Sequence, residues 1–382
     1  MKWEEPWTTT VPSPTGCWCA SGSPSRSRST SNRSTKLPEA KRREPARGIF
    51  RLVLPLPFPG LDRVNAYLLS PEAGEGPMTL VDCGIYLPDE AEADHGWDHL
   101  VAALAACEVA PRDIERLVIT HPHIDHYGMA GRLIDESGCE LWMHEAAGAD
   151  LAAYQDPEGA TRRLSEMLRD HGVGEHEIEE LTAYEDWRPF VSRVVDADRA
   201  LQGGESFAVG ERVWTIVHTP GHSEAHVCLW SASDRILLSG DHLLGAITPH
   251  IDFRRGDENP LGDFLASLQK IEDLAPDLVL PGHGRPFEDG ASRARVVERH
   301  HDRRLGSILQ VIRNEPHSAD EITQEIFGGT LLHFEKRLAL GEALAHIAYL
   351  REQGDVERIE DTDGGLKYQK VRRKHLSEEE ED

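Results

Sequence analysis

The densest run of metal-ligating side chains in the sequence is His121-Pro-His123-Ile-Asp125-His126, three imidazoles and a carboxylate within six residues. Residues i and i+2 lie on nearly opposite faces of a helix but on one side of an extended segment. The run can therefore serve a single site only as a loop or at the end of a strand. Imidazole together with carboxylate suits zinc and similar borderline metals. Three isolated residues downstream share the same chemistry, each beside a glycine turn. They are His222 in His218-Thr-Pro-Gly-His222, Asp241 in Ser239-Gly-Asp241-His242, and His283 in Pro281-Gly-His283-Gly284. Each alone is an ordinary loop residue. Together with the first run they make seven candidate ligands, enough for two ions sharing a carboxylate. Glycine at the turns lets backbone approach an ion closely.

The elements that must position these residues are legible around them. The segments 50–58, 64–69 and 78–82 read as strands, and 97–107 has helical periodicity with Leu100, Leu104 and Cys107 on one face. A short apolar strand, 116–120, runs directly into the histidine cluster, and a helix is expected over 126–135. Further strands are expected at 140–144, 213–218, 226–230, 235–239 and 277–280, so that His222, Asp241 and His283 follow strand ends. The stretch 145–200 reads as a helical insertion or lid, with helices over 162–170 and 177–184. Strands alternating with helices point to a layered α/β fold.

The last 90 or so residues read differently. A helix is expected over 291–313, and a second begins at the capping box Ser318-Ala-Asp-Glu321. A third spans 336–353 and stops at Gly354. Val356-Glu-Arg-Ile and Leu366-Lys-Tyr then flank Asp363-Gly-Gly365, a hairpin signal. Helix, helix, helix and hairpin make a winged-helix pattern over 291–375, followed by an acidic tail at 376–382. At the other end, residues 1–47 are rich in Ser, Pro and Arg and are expected to be disordered.

The net charge of the chain is −26. The first 48 residues contribute +5, leaving −31 on the remainder. So acidic a body repels phosphate backbones unless a local basic groove compensates, and the charge gives no support to a nucleic-acid partner. No window of 18 consecutive apolar residues predicts a membrane span. No apolar segment near the start predicts a secretory signal. The six cysteines (Cys17, Cys19, Cys83, Cys107, Cys139 and Cys228) match neither a disulfide scaffold nor paired CxxC zinc sites, so a reducing cytoplasm is the expected compartment. His218, His226, His242, His250 and Tyr127 sit beside the motifs and are expected to support or pack rather than to bind. His300-His301 reads as a helix-surface pair.

In order and type, His121–His126, His222, Asp241 and His283 resemble the motif pattern of the metallo-β-lactamase superfamily, and Asp82 in Val-Asp82-Cys-Gly matches its first motif. The resemblance covers residues 49 to 290 and implies an αββα sandwich, here followed by the small winged-helix unit, with the metal ions at one edge. It also implies roles. His121, His123 and His222 would hold one ion, and Asp125, His126 and His283 the other. Asp241 would bridge them, and Asp82 would orient the ligands. Two divalent ions about 3.5–4 Å apart bring the pKa of a bridging water near 7, so the expected nucleophile is a bridging hydroxide, with Asp125 to orient the water or take its proton. Zinc is the expected metal, with manganese or iron as alternatives. The C-terminal pattern further resembles the beta-lactamase-like protein 2 group, whose bacterial relatives are described as metal-dependent hydrolases and a eukaryotic one as a single-strand endoribonuclease. The substrate classes left open are esters, thioesters and phosphodiesters. They include a hydroxyacylglutathione thioester, as His218-Thr-Pro-Gly-His222 suggests. A homodimer and a non-enzymatic DNA-binding regulator also stay open, the latter disfavoured by the intact ligand set.

Overall fold

The computed structural model describes residues 41–58, 60–71, 76–87, 96–183, 186–253, 259–328, 331–360 and 365–371. Most of the tail expected at 1–47, and all of 376–382, lies outside them. Residues 41–47 are ordered, contrary to expectation. Ala46 bridges to Ile49, Arg51 N–H donates to the Arg43 carbonyl at 2.8 Å, and the Arg42 guanidinium sits 4.6 Å over the Phe50 ring.

Two six-stranded sheets carry the fold. The first is β1 (Ile49–Phe58), β2 (Leu61–Leu69), β3 (Thr79–Val81), β4 (Arg116–Val118), β5 (Glu140–His144) and β6 (Arg199–Leu201), in that spatial order. The second is β7 (Ser206–Val209), β8 (Arg212–His218), β9 (Val227–Ser231), β10 (Ile236–Gly240), β11 (Leu278–Pro281) and β12 (Phe287–Glu288), again with sequence neighbours adjacent. Strand periodicity of two sends alternate residues to opposite faces. In β2, Tyr67 and Leu69 face the second sheet, while Val64, Ala66 and Leu68 face helices. In β9, Val227 and Leu229 face the first sheet, while Cys228 and Trp230 face the other helices. Both faces of the central strands are thus buried, and those strands read as nearly continuous apolar runs.

Helices close the outer faces. On the first sheet lie α1 (Gly96–Ala105), α2 (Ile124–Tyr127), α3 (Ala130–Ser137) and α4 (Gly148–Gln155). The helix expected over 126–135 is in fact two, α2 and α3, broken at Gly128-Met129. There a side chain on Gly128 would meet the Ile124 carbonyl at 2.3 Å. On the second sheet lie α7 (Pro260–Leu274) and α8 (Gly290–Val311). The layers are therefore α/β/β/α.

The remaining elements are α5 (Pro157–Asp170), α6 (Glu175–Thr182), α9 (Ala319–Phe327), α10 (His333–Glu352) and the hairpin β13 (Val356–Glu360)–β14 (Leu366–Lys370). The Ser318 capping box forms. Ser318 Oγ accepts from Glu321 N–H at 3.1 Å, and Glu321 Oε2 accepts from Ser318 N–H at 2.7 Å. Leu164 and Leu168 of α5, Ile178 of α6, Leu261 and Phe264 of α7, Leu340 and Leu344 of α10 and Tyr368 of β14 share one buried core. The segment 145–200 and the C-terminal helices therefore pack together. His171, just after α5, pairs through Nδ1 with Tyr368 Oη at 2.5 Å. Lys336 bridges Glu177 of α6 and Asp320 of α9. Among the described residues no helix is long and apolar enough to cross a membrane.

Candidate metal centre

β3, β4 and β5 run parallel, as do β10 and β11, and β8 has the same direction as β10. The residues that follow β3, β4, β8, β10 and β11 therefore gather at one edge of the sandwich. Asp82 follows β3, and His121 and His123 lie in the loop after β4. His222, Asp241 and His283 follow β8, β10 and β11. The histidine run is half loop and half helix. His123 is the N-cap of α2, and Asp125 and His126 lie in its single turn.

All seven candidate ligands converge. The donor atoms of His121, His123 and His222 lie within 4.8 Å of one another, as do those of Asp125, His126 and His283. Asp241 stands between the groups. Its Oδ2 is 3.1 Å from His283 Nε2 and 3.9 Å from His222 Nε2, and its Oδ1 is 3.4 Å from His126 Nε2.

The ring orientations are fixed from behind. His222 Nδ1 donates to the His250 carbonyl at 2.7 Å, and His283 Nδ1 donates to the Arg63 carbonyl at 2.8 Å. His126 Nδ1 donates to Asp82 Oδ2 at 2.8 Å. Thr120 Oγ1 donates to Asp82 and so receives the proton of His121 Nδ1, at 3.1 Å. Each Nδ1–H is spent, leaving each Nε2 lone pair directed into the cluster. Nε2 of His121, His126, His222 and His283, together with Asp241 Oδ1, are buried with no hydrogen-bond partner among the described residues. Buried polar atoms are seldom left unpaired. A set of unpaired imidazole nitrogens around carboxylates fits divalent metal ions and little else.

The electrostatics divide the cluster. Burial, then the neighbouring His126, His123 and His222, push His121 well down, and burial lowers His222. Burial also opposes a charge on His126 and His283, but there the carboxylates win. Asp241, Asp125 and Asp82 hold His126 well above its ordinary value, and Asp241 and Asp125 hold His283 at about 10. Against burial, His126 and His283 draw Asp125 down to about 2, and Asp241 lies well below the carboxylate range for the same reason. Carboxylates strong enough to outweigh burial and favour positive charge at these two rings would favour a divalent cation in the same place.

Close backbone approach has a visible cause at two glycines. Gly221 has φ +129°, and a Cβ there would meet the Phe264 backbone at 2.5 Å. A Cβ on Gly282 would meet Asp241 Oδ1 at 2.2 Å.

Supporting residues come from outside the motifs. The loop 247–253 that supplies the His250 carbonyl is fastened to α10. His250 Nε2 donates to the Leu338 carbonyl at 2.9 Å, Phe253 N–H donates to the Gly341 carbonyl at 3.2 Å, and Arg337 pairs with both oxygens of Asp252 at 3.0 Å. On the other side, Tyr154 Oη of α4 donates to the Pro122 carbonyl at 2.7 Å, in the middle of the histidine run. Thr120, Tyr154 and the carbonyls of Arg63 and His250 carry no motif signal; only the adjacency of Thr120 to His121 hints at its role. Among the residues beside motifs, His226 Nε2 accepts the Asp241 N–H at 3.1 Å, and His218 stacks on His144 at 3.9 Å between centroids. The Tyr127 hydroxyl bonds backbone at Val195, and His242 packs on Phe264.

Residues 59–283 match the family model described as the metallo-beta-lactamase superfamily, and residues 305–371 match that of the metallo-beta-lactamase-like C-terminal domain. A probable metallo-hydrolase, YqjP, from Bacillus subtilis is 27% identical over 80% of this chain and 92% of its own length. A beta-lactamase-like protein 2 homolog from Caenorhabditis elegans is 27% identical over 72% of this chain and 73% of its own. Human acyl-coenzyme A thioesterase MBLAC2 is 28% identical over 61% of this chain and 76% of its own. A solved beta-lactamase domain protein from Burkholderia ambifaria superposes with a TM-score of 0.75 at 30% identity, covering 88% of this chain and 97% of the other. From the four-layer sandwich, the His/Asp cluster at its edge and these matches, the chain belongs to the metallo-beta-lactamase superfamily.

Proposed function

We propose that the chain is a metal-dependent thioester hydrolase, with acyl-coenzyme A as its substrate class. The observation that carries the reading is the ring of buried, unpaired Nε2 atoms around Asp125 and Asp241. The thioester bond is suggested by the related thioesterase. In this reading His121, His123 and His222 would hold one ion and Asp125, His126 and His283 a second, with Asp241 placed between the two groups. Zinc is the first choice of metal for this donor set, with manganese or iron as alternatives. A bound pair of such ions supplies Lewis acidity toward the carbonyl and a water acidic enough to lose a proton near neutral pH. The chain supplies the rest. Asp125 accepts or orients the proton of the attacking water, while Asp82 and Thr120 hold two rings in the binding tautomer. Water adds across the acyl–sulfur bond, which breaks to a carboxylic acid and a free thiol.

Among the described residues no cysteine competes for the role. Cys83, Cys107, Cys139 and Cys228 are buried free thiols, and burial raises the pKa of each. Two basic residues of the C-terminal helices, Lys336 and Arg337, are tied to acidic partners. We therefore read the winged-helix-like unit as a packing support rather than a reader of nucleic acid.

The test is a hydrolysis screen of the chain loaded with zinc, manganese or iron. Acyl-coenzyme A thioesters, hydroxyacylglutathione, lactones, phosphodiesters and single-stranded RNA are the substrates. Turnover of thioesters is expected to disappear on chelation, return with metal, and be abolished by Asp241→Ala. Unchanged turnover in Asp241→Ala overturns the site, and turnover confined to RNA or phosphodiesters overturns the substrate class.

A further inference from the structure

A second cluster of metal-ligating side chains lies in the C-terminal part of the molecule. Its central histidine reads from the sequence as half of a helix-surface pair. The structure corrects this: His301 on α8 is fully buried, because α10 covers that face of α8. From α10 come Glu342 and His346, an i, i+4 pair that presents both side chains on one face. His346 is fully buried and Glu342 nearly so. The donor atoms of His301, Glu342 and His346 lie within 4.8 Å of one another.

The local bonding resembles that behind the sandwich-edge ligands. His346 Nδ1 donates to the Glu342 backbone carbonyl at 2.7 Å, as His222 and His283 donate to carbonyls. That leaves the His346 Nε2 lone pair facing His301 Nδ1 at 3.1 Å. A separation of this size serves either a direct hydrogen bond or two imidazoles on one ion. The other nitrogen of His301, Nε2, is buried with no partner among the described residues. Arg304 of α8 pairs with Glu342 Oε1 and fixes the carboxylate beside the two rings. Burial, His346, His300 and Arg304 drive His301 down to about 2, and burial foremost drives His346 to about 3.

We propose that His301, Glu342 and His346 form a third metal site, selective for a borderline divalent ion such as zinc, that staples α8 to α10. Two imidazoles and a carboxylate are a zinc-type donor set. The cluster is closed to solvent and shares no residue with the centre at the sandwich edge, so its role is structural.

The experiment counts ions in the full chain. Zinc-loaded protein, freed of excess metal, is expected to hold three ions per chain by elemental analysis. A variant stripped at the sandwich edge (His121→Ala, Asp241→Ala, His283→Ala) is expected to keep one Co2+, with the visible absorption of a low-coordinate site, and to melt higher with the ion than without. Adding His301→Asn or His346→Gln to that variant should remove the ion and the shift in melting. A stripped variant that binds no Co2+, or one whose binding survives His301→Asn and His346→Gln, overturns the proposal. Should the stripped variant not fold, the wild-type count decides, and two ions that His346→Gln leaves unchanged overturn it. Failure of the thioesterase reading leaves these counts unaffected.

Discussion

The imidazole of His222 and the ring of His250 are joined through one backbone carbonyl: His222 Nδ1 donates to the His250 oxygen at 2.7 Å, while the His250 ring donates onward to Leu338 of α10. A candidate ligand at the sandwich edge is thus steered by a helix 116 residues further along the chain. Arg337→Ala removes the bidentate tie to Asp252 that holds the same loop. Outer partners of metal-binding histidines typically govern affinity by about 10–100-fold. Arg337→Ala is expected to fall near the low end, weakening one of the two sandwich-edge ions while the other stays bound. Gly341→Ala should do the same, since its Cβ would meet Asp252 Oδ1 at 1.9 Å. Stepwise cobalt titration reads the two affinities, and equal weakening of both ions contradicts the link.

Asp82 controls one ligand in each group, His126 directly and His121 through Thr120. Asp82→Asn keeps the size and tolerates the backbone φ of +60°. It removes a charged acceptor and puts a donor in its place. Metal affinity is expected to drop roughly 10–100-fold for both ions, with little change in the circular dichroism spectrum. Unaltered affinity in a titration against a competing chelator would refute this role.

Tyr154→Phe deletes the hydroxyl that holds the Pro122 carbonyl. One lost hydrogen bond costs about 0.5–1.5 kcal/mol. The midpoint of urea unfolding should move little, while turnover falls several-fold because the histidine run loses its support from α4. A loss of stability with unchanged turnover is the contrary result.

His171 gives the fold a dependence on acid. Burial, then Arg358 and Arg351, bring its ring down to about 4. The unfolded chain takes up a proton near pH 6.5 that the folded chain refuses until about pH 4. Stability is therefore full above pH 6.5 and falls as pH drops between those values, by about 1.4 kcal/mol per unit for this group. His144, also lowered to about 4, acts in the same direction. Urea unfolding at pH 7, 6 and 5 should show the decline. In His171→Gln it should be shallower by the share of His171.

The candidate ligand set was legible because its chemistry is local: three imidazoles and a carboxylate in six residues, then single candidates after apolar strands. The sandwich followed from the resemblance and from apolar runs such as 235–239. What escaped was carried by backbone or by tertiary packing. The carbonyls of Arg63 and His250 have no side-chain signature, and Tyr154 is any aromatic on any helix. Helix α7 had a readable start, since Asn259 caps it and Pro260 opens it, with Asn259 Oδ1 accepting Gly262 N–H at 2.8 Å. His301 was misplaced because charged neighbours on α8 suggested an exposed face, whereas burial there is decided by α10.

The turn between β6 and β7, residues 202–205, is where the chain passes from one sheet to the other. His121, His123, Asp125 and His126 precede it, and His222, Asp241 and His283 follow it. Neither ligand triad is complete on one side. A protein cut at that turn yields two fragments, the first with two residues of each triad and the second with the third residue of each together with Asp241. Ions bound by the mixture beyond those held by either fragment alone would report reassembly, which makes the sandwich-edge centre a built-in sensor of whether the two halves have met.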